Sequence, residues 1–245
     1  MRETEKGAGG GEEPVVGVLG GMGPAATIDL LQRVLALTPA TSDSDHLRML
    51  VDNNPKVPSR IAALIEGTGE SPAPTLIAMA RGLEAQGAEF LVMPCNTAHH
   101  YHREVAAAVA IPFLNLMDLV RSELDLMAGS PRRIGLLASS ALRRIELYEP
   151  YVNTAQRELL YPSPACQDDL MGLILAVKAG RVERSHLRAL SAAIDDLCTG
   201  GADVLLVACT EISALGDALV AECPVVDAAD VLARAVVSAV RNTGP

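Results

Sequence analysis

The chain has 245 residues, 49% hydrophobic and 20% charged, enough apolar material for one large core or two smaller ones. Its formal charge of −10 disfavours a phosphate-backbone partner, and with no Trp, two Phe and four Tyr it has little with which to stack bases, so no nucleic-acid partner is expected. No apolar run approaches the roughly 20 residues that span a bilayer, and residues 1–13 lack the apolar segment of a signal peptide, so no membrane partner is expected and the opening reads as a disordered tail.

In chain order, the first apolar run, residues 15–19, reads as a short strand ending in Gly20-Gly21-Met22-Gly23-Pro24. The spacing Gly21-x-Gly23-x-x-Ala26 resembles a dinucleotide fingerprint. However, Pro24 interrupts the turn, and Asp43 and Asp45 precede the next strand instead of ending it. Two readings stay open: close helix–strand packing, or a turn whose backbone at Met22 and Gly23 faces a ligand. A helix over 24–37 follows, with Ile28, Leu31, Val34 and Leu35 on one face and Pro24 in the first turn, where its missing N–H costs nothing. Residues 48–53 form a strand ending in amides, and a helix start carries Arg60. Asn53, Asn54 and Arg60 are thereby placed to hydrogen-bond a polar ligand, and Arg48 is a candidate bidentate clamp for a carboxylate.

A helix over 76–86 precedes Gly87-Ala88-Glu89-Phe90-Leu91-Val92-Met93-Pro94-Cys95-Asn96-Thr97. A helix over 188–197 precedes its echo, Gly201-Ala202-Asp203-Val204-Leu205-Leu206-Val207-Ala208-Cys209-Thr210-Glu211. The step from glycine to cysteine is the same in both. Each apolar run fits a buried parallel strand, so both thiols emerge at strand carboxyl ends, the edge where open α/β sheets bind ligands. The echo extends to 15–21 and 133–139, and to the proline-marked strands at 111–116 and 223–227. Strands alternating with helices predict parallel sheets covered on both faces. The expected architecture is therefore two pseudo-symmetric α/β domains, each a parallel sheet flanked by helices, over 14–127 and 128–229. Residues 129–132 form the hinge, 230–245 pack back on the first domain, and the active site lies in the interdomain cleft.

The five cysteines, Cys95, Cys166, Cys198, Cys209 and Cys223, form no CxxC pair and are odd in number, which suits a reducing compartment and predicts a cytoplasmic protein. A helix start behind Cys95 and Cys209 offers free N–H groups and positive partial charge, which would lower a thiol pKa and bind a carboxylate. His99, His100 and His102 do not form a ligand spacing, so no metal is expected.

Taken together, Gly20-Gly21-Met22-Gly23-Pro24, Asn53-Asn54-Pro55, Pro94-Cys95-Asn96-Thr97-Ala98-His99 and Ala208-Cys209-Thr210-Glu211-Ile212 resemble the aspartate racemase branch of the aspartate/glutamate racemase family. The resemblance implies a cofactor-independent, commonly dimeric racemase with one cysteine on each face of an amino-acid substrate's α-carbon. It makes Cys95 and Cys209 the two bases, with Asn96, Thr97, Ser139 and Thr210 around the α-carboxylate and amine. Glu211 either orients the substrate ammonium or caps its helix. Aspartate is the first expectation. One departure weakens it: some relatives carry a lysine before a helix of the second half, where this chain has Ala165-Cys166-Gln167-Asp168-Asp169. A broad-specificity racemase, a maleate- or hydantoin-type isomerase, and a non-catalytic module that closes on a small anion are the alternatives.

Overall fold

The computed structural model describes residues 13–241, so the tail expected over 1–13 lies outside the described residues except for Glu13. Its first half runs β1 (Val16–Gly20), α1 (Pro24–Leu37), β2 (Met49–Asn53), a π-helical turn (Ala62–Glu66) and α2 (Ala73–Ala85). Then come β3 (Phe90–Val92), a 3-10 turn (Thr97–Tyr101), α3 (His102–Ala106) and α4 (Leu116–Leu126). The second half runs β4 (Arg133–Leu137), α5 (Ser140–Arg144), α6 (Glu149–Val152), β5 (Glu158–Leu160) and α7 (Pro164–Lys178). It closes with α8 (Arg184–Thr199), β6 (Val204–Val207), α9 (Thr210–Ser213), β7 (Val225–Asp227) and α10 (Ala228–Arg241).

Two parallel sheets result, β2-β1-β3 and β5-β4-β6-β7, and a parallel bridge from Leu91 to Phe113 marks the place of a fourth strand beside the first. The fold is α/β with two helix-flanked parallel sheets, as the strand–helix alternation predicts. The repeat is visible in packing as well as in order. A Cβ on Gly17 would lie 2.6 Å from Leu91 Cδ2 and 2.9 Å from Ala88 Cβ; on Gly135 it would lie 2.7 Å from Leu205 Cδ2 and 3.1 Å from Ala202 Cβ. Each glycine lets a central strand meet the equivalent leucine of the neighbouring cysteine strand.

Three apolar clusters hold the molecule together. One lies between β3 and the helices α2 and α3, built on Leu76, Leu83, Leu91 and Val105; another lies beneath α7 and α8, on Leu173, Ile174, Leu190 and Leu205. The largest is shared by both sheets: Val16, Val18 and Val92 from one and Ile134, Leu136 and Leu206 from the other pack with α4 and α10. The two halves are also tied by Arg33 of α1, which reaches Asp227, Asp230 and the Ser213 carbonyl. The connection from α4 to β4 passes through Gly129 and Ser130, both at positive φ.

The sequence reading differs from the structure at two places. The strand expected over 111–116 is reduced to the bridge at Phe113, with Leu116 already opening α4. Residues 140–178, which carry no clear strand–helix signature in the sequence, fold into α5, α6, β5 and α7.

Candidate active site

Both cysteines sit just past the carboxyl end of the strand next to the central one, Cys95 after β3 and Cys209 after β6. Each is only 7% exposed, and both line a single cavity of about 370 Å³. Met22, Arg60, Asn96, Thr97, Ser139, Thr210 and Glu211 line it with them, so most of the residues singled out in the sequence converge on one space.

Three do not. Arg48 lies one residue before β2, exposed at the amino end of that strand, the edge remote from the cavity, so it is not brought to the thiols as expected. Asn53 ends β2 beside Gly20 but is exposed, and Gly23 caps α1; neither lines the cavity. The remaining wall comes from residues that the sequence reading passed over: Ser59, Ile61 and Glu66 around the π-helical turn, and Met171, Ile174, Leu175 and Lys178 of α7. The α7 set has the i, i+3, i+4, i+7 spacing of one helix face, the signal that would have found it. Asp168, which the sequence placed in competition with an acidic substrate, is exposed and absent from the lining; the cation of this helix is Lys178, in its last turn.

The two thiols stand in different surroundings. Cys209 is the N-cap residue of the four-residue α9, and its Sγ donates to Glu211 Oε2 at 3.1 Å. The other Glu211 oxygen lies 3.6 Å from Lys178 Nζ. Burial raises the Cys209 pKa well above the ordinary thiol value, and the adjacent Glu211 carboxylate raises it further, while the Lys178 charge acts in the opposite direction. The lowering expected from a helix start is overturned here: one short turn of helix cannot offset desolvation plus a carboxylate on the sulfur. Glu211 accordingly neither caps α9 nor stands free.

Around Cys95 the polar groups serve the backbone and the neighbouring half. His99 Nδ1 contacts the Cys95 carbonyl at 2.9 Å, and burial lowers the His99 pKa to about 4, so near neutral pH the ring is uncharged and donates through Nδ1–H. His102 Nε2 lies 2.9 Å from the Phe113 carbonyl. Among the described residues, no three His, Cys, Asp or Glu side chains are grouped as metal ligands. Asn96 Oδ1 accepts from the Tyr148 hydroxyl at 2.5 Å, across the two halves. Arg60 donates to the carbonyls of Met22 at 2.9 Å and Pro58 at 3.2 Å, its buried Nε has no partner, and no carboxylate pairs with it among the described residues.

Two cysteines at equivalent places of two repeated α/β halves thus line one cavity. The chain belongs to the Asp/Glu/hydantoin racemase family, whose sequence profile matches residues 19–236. It is an isomerase of that family. It is 27% identical over 228 residues to the broad specificity amino-acid racemase RacX of Bacillus subtilis (strain 168), covering 91% of this chain and 97% of that one. The aspartate racemase of Picrophilus torridus superposes with a TM-score of 0.77 at 30% identity, covering 93% of this chain and 94% of that one. Glutamate racemase isoform RacE1 of Bacillus anthracis shares the fold at a TM-score of 0.66 and 15% identity, covering 94% and 82%.

Proposed function

We propose that the chain racemises an amino acid without a cofactor, Cys95 and Cys209 exchanging the α-proton on opposite faces of the substrate. The observation that carries this reading is that the two thiols, equally buried and at equivalent places of the repeat, line one cavity. An α-proton of an amino acid is weakly acidic, so its removal needs a thiolate on one face and donors for the charge that develops on the carboxylate. The resting thiol at Cys209, hydrogen-bonded to Glu211, is the group that returns a proton, with Cys95 as base; turnover in the opposite direction exchanges the roles. Asn96, Thr97, Ser139 and Thr210 supply donors to the α-carboxylate, and the substrate ammonium faces Glu211.

Aspartate is the first substrate of this reading, because Arg60 is a cation in the cavity wall without a carboxylate partner among the described residues and can receive the side-chain carboxylate. A second reading, a broader set of amino acids, is favoured by the apolar stripe Met171, Ile174 and Leu175 and by the carboxylate of Glu66 in the same wall. The resemblance further supports a homodimer acting in the cytoplasm, for which light scattering of the purified protein is the direct check. The deciding experiment is incubation with single amino acids in deuterated water. Deuterium at the α-carbon together with the opposite enantiomer on chiral chromatography is the expected result. A panel of amino and hydroxy acids that bind without exchange would leave an anion-binding module instead.

A further inference from the structure

Asn96 follows Cys95 directly, is 5% exposed and lines the cavity. An asparagine amide has two faces of opposite sense: its oxygen repels a carboxylate and its two N–H groups attract one. The side chain can rotate between them at little cost unless something fixes it. Here the oxygen accepts the Tyr148 hydroxyl, and the amide nitrogen has no protein partner among the described residues. Tyr148 comes from the other half of the chain, where it precedes α6, and its side chain is fully buried. Burial and the nearby Asp227 charge push its phenol far above the ordinary tyrosine pKa, so the hydroxyl stays protonated and remains a donor.

We infer that Tyr148 is a positioning residue: its hydroxyl holds the Asn96 amide with its N–H groups toward the reacting carboxylate, beside the Cys95 thiol. This rests on the two-thiol racemase reading and adds to it a residue that does not touch substrate. With the hydroxyl gone, the amide oxygen can swing toward the carboxylate, and the group that stabilises developing negative charge becomes one that opposes it. The loss should then fall on kcat more than on KM, because the charge grows from ground state to transition state.

The experiment compares wild type, Tyr148→Phe, Asn96→Ala and the double variant, using whichever amino acid the wild type racemises fastest, with thermal melting in parallel. Tyr148→Phe is expected to lower kcat at least tenfold with KM changed less than threefold, and the double variant should be no slower than Asn96→Ala alone. Losses that multiply in the double variant, or a kcat unchanged in Tyr148→Phe, would overturn the inference, whatever the melting temperature does. A second measurement depends neither on Tyr148→Phe folding nor on turnover. In wild type labelled with ¹⁵N-asparagine, malonate as a carboxylate probe should shift the Asn96 side-chain NH₂ signals, assigned by their loss in Asn96→Ala. Signals that do not move while malonate binds would refute the orientation. A wild type that exchanges no α-proton with any amino acid sinks the racemase reading instead, and the amide signals still report on the orientation of Asn96.

Discussion

The Cys95 and Cys209 stations are built on one plan and finished differently. Gly87 and Gly201 both turn at positive φ, the strands β3 and β6 both flank a central strand whose glycine admits a leucine, and both sulfurs reach the same depth. Beyond the sulfur the likeness stops. On one side Asn96 accepts a neutral phenol from the other half, and the nearby cation, Arg60, donates to the carbonyls of Pro58 and Met22. On the other, Glu211 touches the thiol, and the cation, Lys178, is spent on Glu211. Symmetry in the backbone thus brings two thiols to one cavity, and the side chains that adjoin them differ: a carboxylate holds the proton on Cys209.

Removing either thiol tests the plan itself and should have the largest effect. Cys95→Ser and Cys209→Ser are each expected to abolish racemisation by chiral chromatography, since a hydroxyl cannot replace a thiolate as base near neutral pH. If the faces are served separately, each variant retains α-proton exchange with at most one enantiomer, and the two variants differ in which. Full racemisation by either single variant would break the comparison at its root.

The two cations come next. Arg60→Met should lower kcat/KM for aspartate by roughly 10- to 100-fold relative to alanine, the range of a charge-assisted bond of about 1.5–3 kcal/mol. Lys178→Met should change the same ratio only a few-fold, because that ammonium is half exposed and already paired. Equal effects would show that both halves bind the side chain. An enzyme that prefers alanine or leucine to aspartate before any substitution would move the assignment to the apolar wall of α7.

How much of this was readable in the chain follows from where its information is local. The repeated Gly-to-Cys phrases, the proline-marked strands and the α1 periodicity are statements about neighbouring residues, and they located both sheets and both thiols. Arg48 was misplaced although chain direction already sets it at the start of its strand: in a parallel sheet only the carboxyl ends meet the cavity, and the pairing of Met49–Asn53 with Val16–Gly20 leaves Arg48 at the opposite edge. The α7 wall has a local signal, the stripe 171, 174, 175 and 178, but apolar residues beside that stripe, such as the fully buried Leu173, blur it into an ordinary core pattern, and only packing shows Leu175 exposed in the site. The Cys209 thiol reversed its expected shift because desolvation and Glu211 come from packing, not from the strand-to-helix junction that the sequence displays.

The carboxylate on Cys209 offers a smaller and more selective test. Glu211 favours the neutral thiol in two ways, by accepting its S–H and by repelling a thiolate, so its charge holds the pKa up. In Glu211→Gln the Cys209 pKa is therefore expected to fall, and the midpoint of iodoacetamide alkylation, followed peptide by peptide with mass spectrometry, should move to lower pH. Lys178→Met removes an opposing charge and should move it to higher pH. Cys95 should be unmoved in both variants; a parallel shift there would mean that the two stations titrate as one.

The smallest expected difference lies in the scaffold. Gly17→Ala and Gly135→Ala place a methyl 2.6 Å from Leu91 Cδ2 and 2.7 Å from Leu205 Cδ2, in each case with an alanine and a further leucine close behind. Neither leucine can withdraw freely, since both are fully buried, so each substitution should cost about 1–3 kcal/mol of overpacking. The informative quantity is the difference between them, read from urea unfolding at fixed pH. Equivalent packing predicts values within about 1 kcal/mol of each other. A much larger loss at Gly17 would mean that the first sheet, whose fourth position is only a bridge at Phe113, has less freedom to relax than the four-stranded second sheet, and that the repeat is more alike in order than in mechanics.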